Sequence, residues 1–196
     1  MNTLILFAHP NAQSFNRAVL NSFIKGLESK RLSYDLVDLY ALNFEPCLSS
    51  LDLALFQQGK VPPDVLTQQT KVAWADWLVF IFPVWWSAPP AILKGWIDRV
   101  FSLKFAYDFT DRGPVGLLQS KKALLMTTTG GDRNFFESSG IKRAMEMTLD
   151  LGIFGFSGME TIRHEFFYQV VEGDEALRRN YLEKAFELGA GLEDQS

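Results

Sequence analysis

Short apolar runs alternate with segments of helical periodicity along this chain, and that alternation restricts its possible folds more than any other feature. The apolar runs predict five strands, at Thr3–Ala8, Tyr34–Asp38, Leu78–Phe82, Lys122–Thr127 and Thr161–Phe167. Apolar residues three and four apart predict the intervening helices, with Ser14 or Asn16 capping the first and Asp174 the last. Five strand–helix units in succession predict an α/β fold: a doubly wound parallel sheet with helices on both faces, because crossovers are right-handed.

We expect the strand order 2-1-3-4-5, the flavodoxin-like order, in a single domain over residues 1–196. The rival arrangement is the dinucleotide-binding fold, whose glycine fingerprint follows the first strand. Here the chain reads HPNAQSFN after that strand and contains no glycine. The sequence therefore favours the flavodoxin-like sheet, whose ligand crevice lies at the carboxyl ends of the strands.

The composition excludes several classes of protein. A formal net charge of −4 and an isoelectric point near 5.2 leave no electrostatic footprint for nucleic acid. The single cysteine, Cys47, can form no internal disulfide and has no second thiol for a metal pair. The chain opens without a secretion signal, and its apolar stretch Trp77–Trp86 is half the length of about 20 residues that a membrane helix needs. We therefore expect a cytoplasmic protein with no membrane insertion, no nucleic-acid partner and no metal site.

The loop after the first predicted strand combines polar side chains with the start of a helix. Ser14 and Asn16 offer a hydroxyl and an amide beside the free backbone N–H groups of that helix. Such a place holds a phosphate well, because the amides and the helix dipole both favour an anion. The alternative is that Ser14 only caps the helix and that His9 is a loop histidine without a ligand. The sequence leaves both interpretations open.

Two further loops follow the third and fourth predicted strands. All five tryptophans lie within the range Trp74–Trp96, and Trp85 and Trp86 follow the third strand directly. Aromatic side chains in that place indicate a flat, π-rich ligand, although tryptophan is more often a core residue. Gly130 and Gly131 allow the backbone to approach a ligand closely, or they form a simple tight turn. All three loops emerge at one edge of the sheet, and their convergence predicts a ligand site.

The chain resembles the NAD(P)H quinone oxidoreductases in four segments: AHPNAQSFN, FPVWWSAPPAILKGWIDRVF, KFAYDF and KKALLMTTTGG. This family of flavoenzymes with the flavodoxin-like fold includes the bacterial potassium-efflux ancillary oxidoreductases. The resemblance extends from about Asn2 to Phe167. PAILKGWIDRVF and TTTGG are its most specific segments, whereas the closing helix matches only in type.

The resemblance implies a flavin site built by the three loops. The residues that match the family's cofactor-binding positions are His9, Ser14, Phe15, Asn16, Pro83, Val84, Trp85, Trp86, Thr128, Thr129, Gly130 and Gly131. The first loop matches the family loop that holds the flavin phosphate. The second matches the loop that lies along the isoalloxazine edge, and the third matches the segment that contacts the pyrimidine end. Tyr107 matches an aromatic residue of the substrate pocket, which the second subunit of a homodimer completes. The resemblance gives catalytic roles to Trp86, Tyr107, Gly130 and Lys142.

The chain departs from the family's pattern at three positions. The family carries a tyrosine and a histidine that steady the negative charge of reduced flavin, and ungapped alignment places Phe136 and Lys142 there. Phe136 has no hydroxyl to donate. Lys142 either supplies a cation beside the flavin anion or lies on the exposed face of its helix. Phe109 stands where the animal enzymes have a second pocket tyrosine, so we expect a less polar pocket.

The activity implied by the resemblance is two-electron, ping-pong hydride transfer from NAD(P)H through bound flavin to a quinone or similar flat acceptor. FAD is the expected flavin, because the QQGKVPPD segment is like that of the animal enzymes, and FMN is the close alternative. Two other functions stay open: a flavodoxin-type electron carrier and a flavin-binding regulatory subunit of a membrane transporter. Electron carriers of that type tend to be strongly acidic and to have a phosphate loop rich in threonine and serine. The net charge of −4 and the HPNAQSFN loop therefore disfavour the carrier. His164 stands alone in the fifth strand and is interpreted as structural or surface.

Overall fold

The computed structural model describes residues 1–192. Its strands are β1 (Asn2–Phe7), β2 (Ser33–Asp38), β3 (Trp77–Pro83), β4 (Tyr107–Thr110), β5 (Gly113–Gly116), β6 (Lys122–Thr128) and β7 (Glu160–Phe167). Its α-helices are α1 (Phe15–Ser29), α2 (Ser50–Gln57), α3 (Pro63–Trp74), α4 (Ala91–Val100), α5 (Arg133–Ser138), α6 (Ile141–Glu146) and α7 (Glu175–Ala190). A π-helical segment, Met147–Gly155, continues directly from α6.

Five of these strands form one parallel sheet in the order β2-β1-β3-β6-β7. This is the predicted order 2-1-3-4-5, and the flavodoxin-like α/β fold is confirmed. The predicted strand bounds differ from the observed ones by no more than one residue at either end. Strands that are buried on both faces consist of continuous apolar runs, and every residue of β3 is buried. The parallel direction places the carboxyl ends of all five strands at one edge.

The sheet has an apolar core on each face. Leu6 of β1 lies in the core that α3, α4 and the π-helical segment cover, and Phe7 lies in the core that α1 and α7 cover. Helices α1 and α7 approach closely at Gly26 and Gly189. A Cβ atom on Gly26 would lie 2.2 Å from the carbonyl oxygen of Phe186, so any larger residue would push the two helices apart.

The sequence pattern does not predict helix α2. In this helix two leucines are exposed and an aspartate is buried, the opposite of the usual pattern. Leu51 and Leu53 are 66% and 50% exposed, whereas Asp52 is 2% exposed. Arg99 of α4 explains the burial, because its Nη2 lies 3.1 Å from Asp52 Oδ1 and its Nη1 lies 2.6 Å from Asp64 Oδ2. Burial raises the pKa of Asp52, but hydrogen bonds from Arg99 and Ser49 outweigh it and hold that pKa below its usual value. Arg99 thus ties α2 and α3 to α4.

The β4–β5 hairpin and the π-helical segment were also not predicted. Tyr107–Thr110 pairs with Gly113–Gly116 in a two-stranded antiparallel sheet beside the main sheet. The spacing of Ile141, Met145, Thr148 and Leu149 predicts a single helix, which in the structure divides into α6 and the π-helical segment. The hairpin and the π-helical segment face each other across a cleft.

Candidate cofactor and active site

The loops after β1, β3 and β6 line a cleft of about 480 Å³, which we call the loop cleft. Its lining residues are His9, Asn11, Ser14, Phe15, Asn16, Pro83, Val84, Trp85, Thr128, Thr129, Gly130, Val170 and Val171. The structure brings together every predicted cofactor-binding residue except Trp86 and Gly131. Asn11, Val170 and Val171 were not predicted, although Val170 and Val171 could have been found because they follow β7 at the same edge. The volume lies within the range of about 300–1,000 Å³ that is typical of small-molecule sites.

The first loop fixes the hydrogen-bonding roles of His9 and Ser14. The backbone N–H of Asn11 donates to His9 Nδ1 at 3.0 Å, so Nε2 carries the proton of the neutral ring. Burial lowers the pKa of His9, and the positive charge of Arg17 lowers it further, so the neutral form is favoured at pH 7. Ser14 Oγ caps α1 by accepting the backbone N–H of Arg17 at 3.2 Å. Its own O–H is left to donate.

Asn16 links the first loop to the third. Its Nδ2 donates to Thr128 Oγ1 at 2.7 Å, and the residue is only 3% exposed. Its Oδ1 is buried and has no hydrogen-bond partner among residues 1–192. A buried amide oxygen without a donor is costly, by about 1–3 kcal/mol. Asn16 Oδ1 is therefore an acceptor suited to a ligand that carries hydroxyl or N–H donors.

The second loop holds two tryptophans in a strained turn. Trp85 and Ala88 exchange backbone hydrogen bonds of 3.0 and 3.1 Å, and between them Trp86 and Ser87 have φ angles of 52° and 58°. Left-handed backbone costs about 1–2 kcal/mol for each such residue, and for a bulky side chain it is an outlier typical of functional sites. Trp85 is 41% exposed and Trp86 is fully exposed. The alternative that these two are core residues is wrong, because the turn holds Trp86 out in solvent.

The third loop presents backbone to the loop cleft. Thr129 Oγ1 donates to the carbonyl of Gly131 at 2.7 Å and closes the loop on itself. A Cβ on Gly130 would meet no atom within 4 Å, so this residue leaves open space beside its backbone. A Cβ on Gly131 would instead lie 2.9 Å from the ring of Phe136, which shows that Gly131 packs away from the cleft.

Arg178 of α7 donates hydrogen bonds to the segment after β7, which lines the loop cleft at Val170 and Val171. Its Nε donates to the carbonyl of Val170 at 3.2 Å, and its Nη2 donates to the carbonyl of Val171 at 3.0 Å. The backbone N–H of Val170 donates in turn to the carbonyl of Thr129 at 3.0 Å. The connection between β7 and α7 is thereby fastened both to α7 and to the third loop.

Tyr107 lies in a different cleft of about 380 Å³, which we call the aromatic cleft. Its lining residues are Ile97, Asp98, Phe101, Tyr107, Phe109, Gly152, Ile153, Phe156 and Ser157. The ring centroid of Tyr107 is 5.9 Å from that of Phe109 and 5.3 Å from that of Phe156. Phe109 and Phe156 are 64% and 44% exposed, which is unusual for phenylalanine. Within one chain, Tyr107 therefore does not line the loop cleft.

Comparison with known proteins identifies the family. A family profile for the Flavodoxin-like fold matches residues 1–188. An uncharacterized NAD(P)H oxidoreductase of Haemophilus influenzae is 34% identical over 186 residues, which are 94% of this chain and 92% of that protein. NAD(P)H dehydrogenase (quinone) 1 of Cavia porcellus is 33% identical over 187 residues, covering 85% of this chain and 68% of that protein. An NAD(P)H:quinone oxidoreductase structure from Methanothermobacter marburgensis superimposes with a TM-score of 0.90 at 34% identity, over 98% of this chain and 97% of that one. The chain belongs to the flavodoxin-like NAD(P)H quinone oxidoreductase family.

Two of the departures from this family's pattern lie outside both clefts. Phe136 is buried, and its ring centroid lies 5.8 Å from that of Tyr168. Lys142 Nζ pairs with Glu146 Oε1 at 2.9 Å on α6 and lies 5.8 Å above the ring of Phe166. A carboxylate one helical turn away thus holds the ammonium group of Lys142, and its role at the flavin stays a prediction.

The remaining expectations concern membranes and metals. In the part of the chain that the structure describes, no helix has the length and apolar character needed to cross a membrane. Across the same residues, 1–192, no group of three or more histidine, cysteine, aspartate or glutamate side chains could hold a metal ion.

Proposed function

We propose that this family member binds a flavin in the loop cleft and catalyses hydride transfer from NAD(P)H to a quinone or similar flat acceptor. The observation that carries the proposal is Asn16, whose amide joins two loops and whose buried Oδ1 has no donor within residues 1–192. A flavin has hydroxyl and N–H donors for such an atom. The cleft also offers the mixture of aromatic, backbone and hydroxyl groups that a flavin needs.

The amino-terminal end of α1 is the part of the cleft suited to the flavin phosphate. The free backbone N–H groups and the dipole of this 15-residue helix favour an anion. The O–H of Ser14 and the Nε2–H of neutral His9 are left to donate to it, because Ser14 Oγ and His9 Nδ1 already accept backbone N–H groups. Arg17 contributes positive charge nearby, although its Nη2 is paired with Asp38.

The second and third loops are suited to the ring system. Trp85 gives an aromatic wall, and the open space beside Gly130 lets a planar ligand lie against backbone. A bound flavin supplies the two-electron redox chemistry, which no side chain of this protein can perform alone. The residues of the cleft would bind and orient the flavin, and Trp86, next to the lining residue Trp85, stands in solvent.

The active form is a homodimer in which the aromatic cleft of the partner covers the rim of the loop cleft. Each chain exposes a large aromatic residue, Trp86, at the loop cleft and an aromatic concavity around Tyr107 and Phe109 elsewhere. A twofold axis lets each chain supply both surfaces at once, as closed symmetry requires. Exposed apolar surface of this kind is typical of an interface. Trp86 and Gly130 of one chain would then meet Tyr107 of the other at the acceptor.

FAD stays the proposed flavin because the QQGKVPPD segment is like that of the animal enzymes. FMN is the alternative, because the two flavins share the ring and the first phosphate that the three loops address. Mass spectrometry of the cofactor released from the purified protein distinguishes them directly. NADPH and NADH are both proposed donors, and a titration with each assigns the preference.

The experiment that tests the function is an anaerobic titration of the flavin-loaded protein with NADPH, followed by the absorbance of oxidised flavin. We expect bleaching in one two-electron step and recovery of the absorbance when menadione is added. A bound flavin that neither NADPH nor NADH reduces would overturn the reductase and favour an electron carrier. Failure to bind FAD or FMN would contradict the assignment of the loop cleft.

A further inference from the structure

His164, interpreted from the sequence as structural or surface, is buried in a specific set of contacts. Its side chain is only 2% exposed, and its Nδ1 lies 3.0 Å from Oδ1 of Asp150. Its Nε2 faces Thr127 Oγ1 of β6 at 3.5 Å, and its ring stacks on Phe166 with the centroids 4.1 Å apart. The proposed function uses none of these groups.

The hydrogen-bonding chemistry fixes one proton of this histidine. A carboxylate oxygen can only accept, so the short contact with Asp150 requires a proton on His164 Nδ1 in either charge state of the ring. A hydrogen bond to an ionised group is stronger than a neutral one, and burial of the ring keeps water from competing for it. The pair is therefore a strong and directed connection between β7 and Asp150.

Asp150 belongs to the π-helical segment, which needs such a connection. π-helices are rare because their hydrogen-bond geometry is poor, and Gly152 and Gly155 weaken this one further. Leu149 and Phe154 are buried, whereas Leu151 is 68% exposed, so apolar packing holds one side of the segment only. Asp150 adds a polar contact with the sheet to that packing.

The same segment forms one wall of the aromatic cleft. Gly152 and Ile153 line the cleft from within the segment, and Phe156 and Ser157 line it from the residues directly after. A rotation or shift of the segment would therefore move the ring of Phe156 relative to Tyr107, from which it is 5.3 Å away.

We propose that His164 is a positioning residue for the acceptor site: its Nδ1–H holds Asp150, and through Asp150 it keeps the π-helical wall of the aromatic cleft in place. The inference rests on the proposed function in one respect, namely that the aromatic cleft contacts the acceptor. The role assigned to His164 follows from its own contacts and can be tested without any turnover.

Two variants of His164 separate this role from simple packing. In His164→Asn, the side-chain nitrogen takes the place of Nδ1 and still donates to Asp150, whereas in His164→Gln it takes the place of Nε2 and does not. Both lose the imidazole ring, so they are matched for lost stacking on Phe166. We expect hydrogen exchange of the amides in Met147–Gly155 to be about tenfold faster in His164→Gln than in His164→Asn, the order of one charge-assisted hydrogen bond. Equal exchange in the two variants would overturn the proposal.

The kinetic test uses menadione as the acceptor and the flavin-loaded protein. We expect the KM for menadione to rise about tenfold in His164→Gln, with kcat and flavin affinity little changed, and to recover in His164→Asn. Arg179→Gln, which breaks an exposed pair with Glu175, is the control and should match the native protein. A native KM in His164→Gln would overturn the proposal. If the native protein itself fails to oxidise NADPH, the proposed function fails while the exchange result still decides the role of His164.

The proton on Nδ1 can also be observed directly. The chain has two histidines, His9 and His164, so nitrogen-15 spectra of histidine side chains contain two sets of signals, which the His164 variants assign. We expect His164 Nδ1 to be protonated and His9 Nδ1 to be the acceptor nitrogen of a neutral ring. An unprotonated Nδ1 in His164 would overturn the proposal.

Discussion

Asn16 Nδ2 donates to Thr128 Oγ1 across 2.7 Å, and this single bond joins the loop after β1 to the carboxyl end of β6. Because the amide nitrogen is committed to Thr128, the orientation of the accepting oxygen of the same amide is fixed. Two walls of the loop cleft are thus set in relation to each other before a ligand enters. Such preorganisation raises affinity by lowering the ordering cost of binding.

We expect Asn16→Ala to weaken flavin binding by about tenfold, because it removes both the acceptor and the bond between the loops. The measurement is the quenching of flavin fluorescence on titration with protein. Asn180→Ala, at an exposed position of α7, is the matched control. Equal affinities for the two variants would show that Asn16 does not contact the flavin.

The turn at Trp86 and Ser87 predicts two glycine variants with different effects. Each replacement removes the strain of a left-handed L-residue, so we expect each to raise the free energy of unfolding by up to about 1 kcal/mol. Ser87→Gly should retain activity, whereas Trp86→Gly should lose menadione turnover because the exposed indole is gone. Urea unfolding and steady-state kinetics check both. Full activity in Trp86→Gly would remove Trp86 from the proposed site.

The buried pair of Arg99 and Asp52 predicts a large loss of stability on truncation. Arg99→Met leaves the Asp52 carboxylate buried without its cation, at a cost of about 3–5 kcal/mol. Since the pKa of Asp52 lies below its usual 3.8 in the folded chain, its stabilising contribution is complete above pH 3.8 and is lost as the pH falls further.

Urea unfolding at pH 7 and at pH 3 measures both effects of Arg99→Met. The variant should lose less stability between the two pH values than the native protein does. Arg179→Met, which removes an exposed cation, should leave stability at pH 7 unchanged. An unfolding free energy of Arg99→Met equal to the native value would contradict the prediction.

The raised pKa of Tyr168 predicts that the protein loses stability at alkaline pH. Burial raises the pKa of Tyr168 to about 12, and its hydroxyl has no hydrogen-bond partner among residues 1–192. The hydroxyl ionises more readily in the unfolded chain, so stability is intact below pH 10 and falls as the pH rises toward 12.

We expect Tyr168→Phe to reduce that alkaline loss and to stabilise the protein by about 1 kcal/mol at pH 7, because it removes an unsatisfied hydroxyl. Tyr34→Phe is the comparison, since the Tyr34 hydroxyl donates to Glu28 Oε1 at 3.0 Å and its loss should not stabilise. Urea unfolding from pH 7 to 11 provides the test. A destabilised Tyr168→Phe would show that the hydroxyl has a partner after all.

The proposed dimer predicts that a charge in the aromatic cleft separates the subunits. Phe109→Glu should convert the dimer to a monomer, abolish menadione turnover and leave flavin bound, because the loop cleft lies elsewhere on the chain. Leu66→Glu, on an exposed position of α3, should change none of these. Analytical ultracentrifugation gives the oligomeric state. A native protein that sediments as a monomer would refute the dimer outright.

The sheet and most of the loop cleft could be predicted because parallel strands and the loops after them have strong local signals. Strand β3 is apolar at every position, and Trp85 and Gly130 each lie two residues after the end of a strand. Helix α2 has no apolar periodicity that predicts it, since its buried residue, Asp52, is charged and Leu51 and Leu53 face solvent. Its local signal is the capping box of Ser49 and Asp52, whereas periodicity does not record the contact of Asp52 with Arg99, 47 residues away.

The division into two clefts was equally invisible in the sequence. Tyr107 and Gly130 were assigned to one site, and the structure separates them because the short β4–β5 hairpin carries Tyr107 toward the π-helical segment. The four-residue strands of the hairpin lack an alternating burial pattern. Contacts between residues of two subunits also cannot be predicted from the periodicity of one segment.

The close contact of Gly26 with the backbone of α7 has a consequence for how the polypeptide is made. Helix α1 precedes all but one of the strands, yet its buried face is covered in part by Leu188 of α7, which is synthesised after all of them. During translation, therefore, α1 is present before the helix that packs against it. The nascent chain must keep that apolar face from aggregating until α7 has been made.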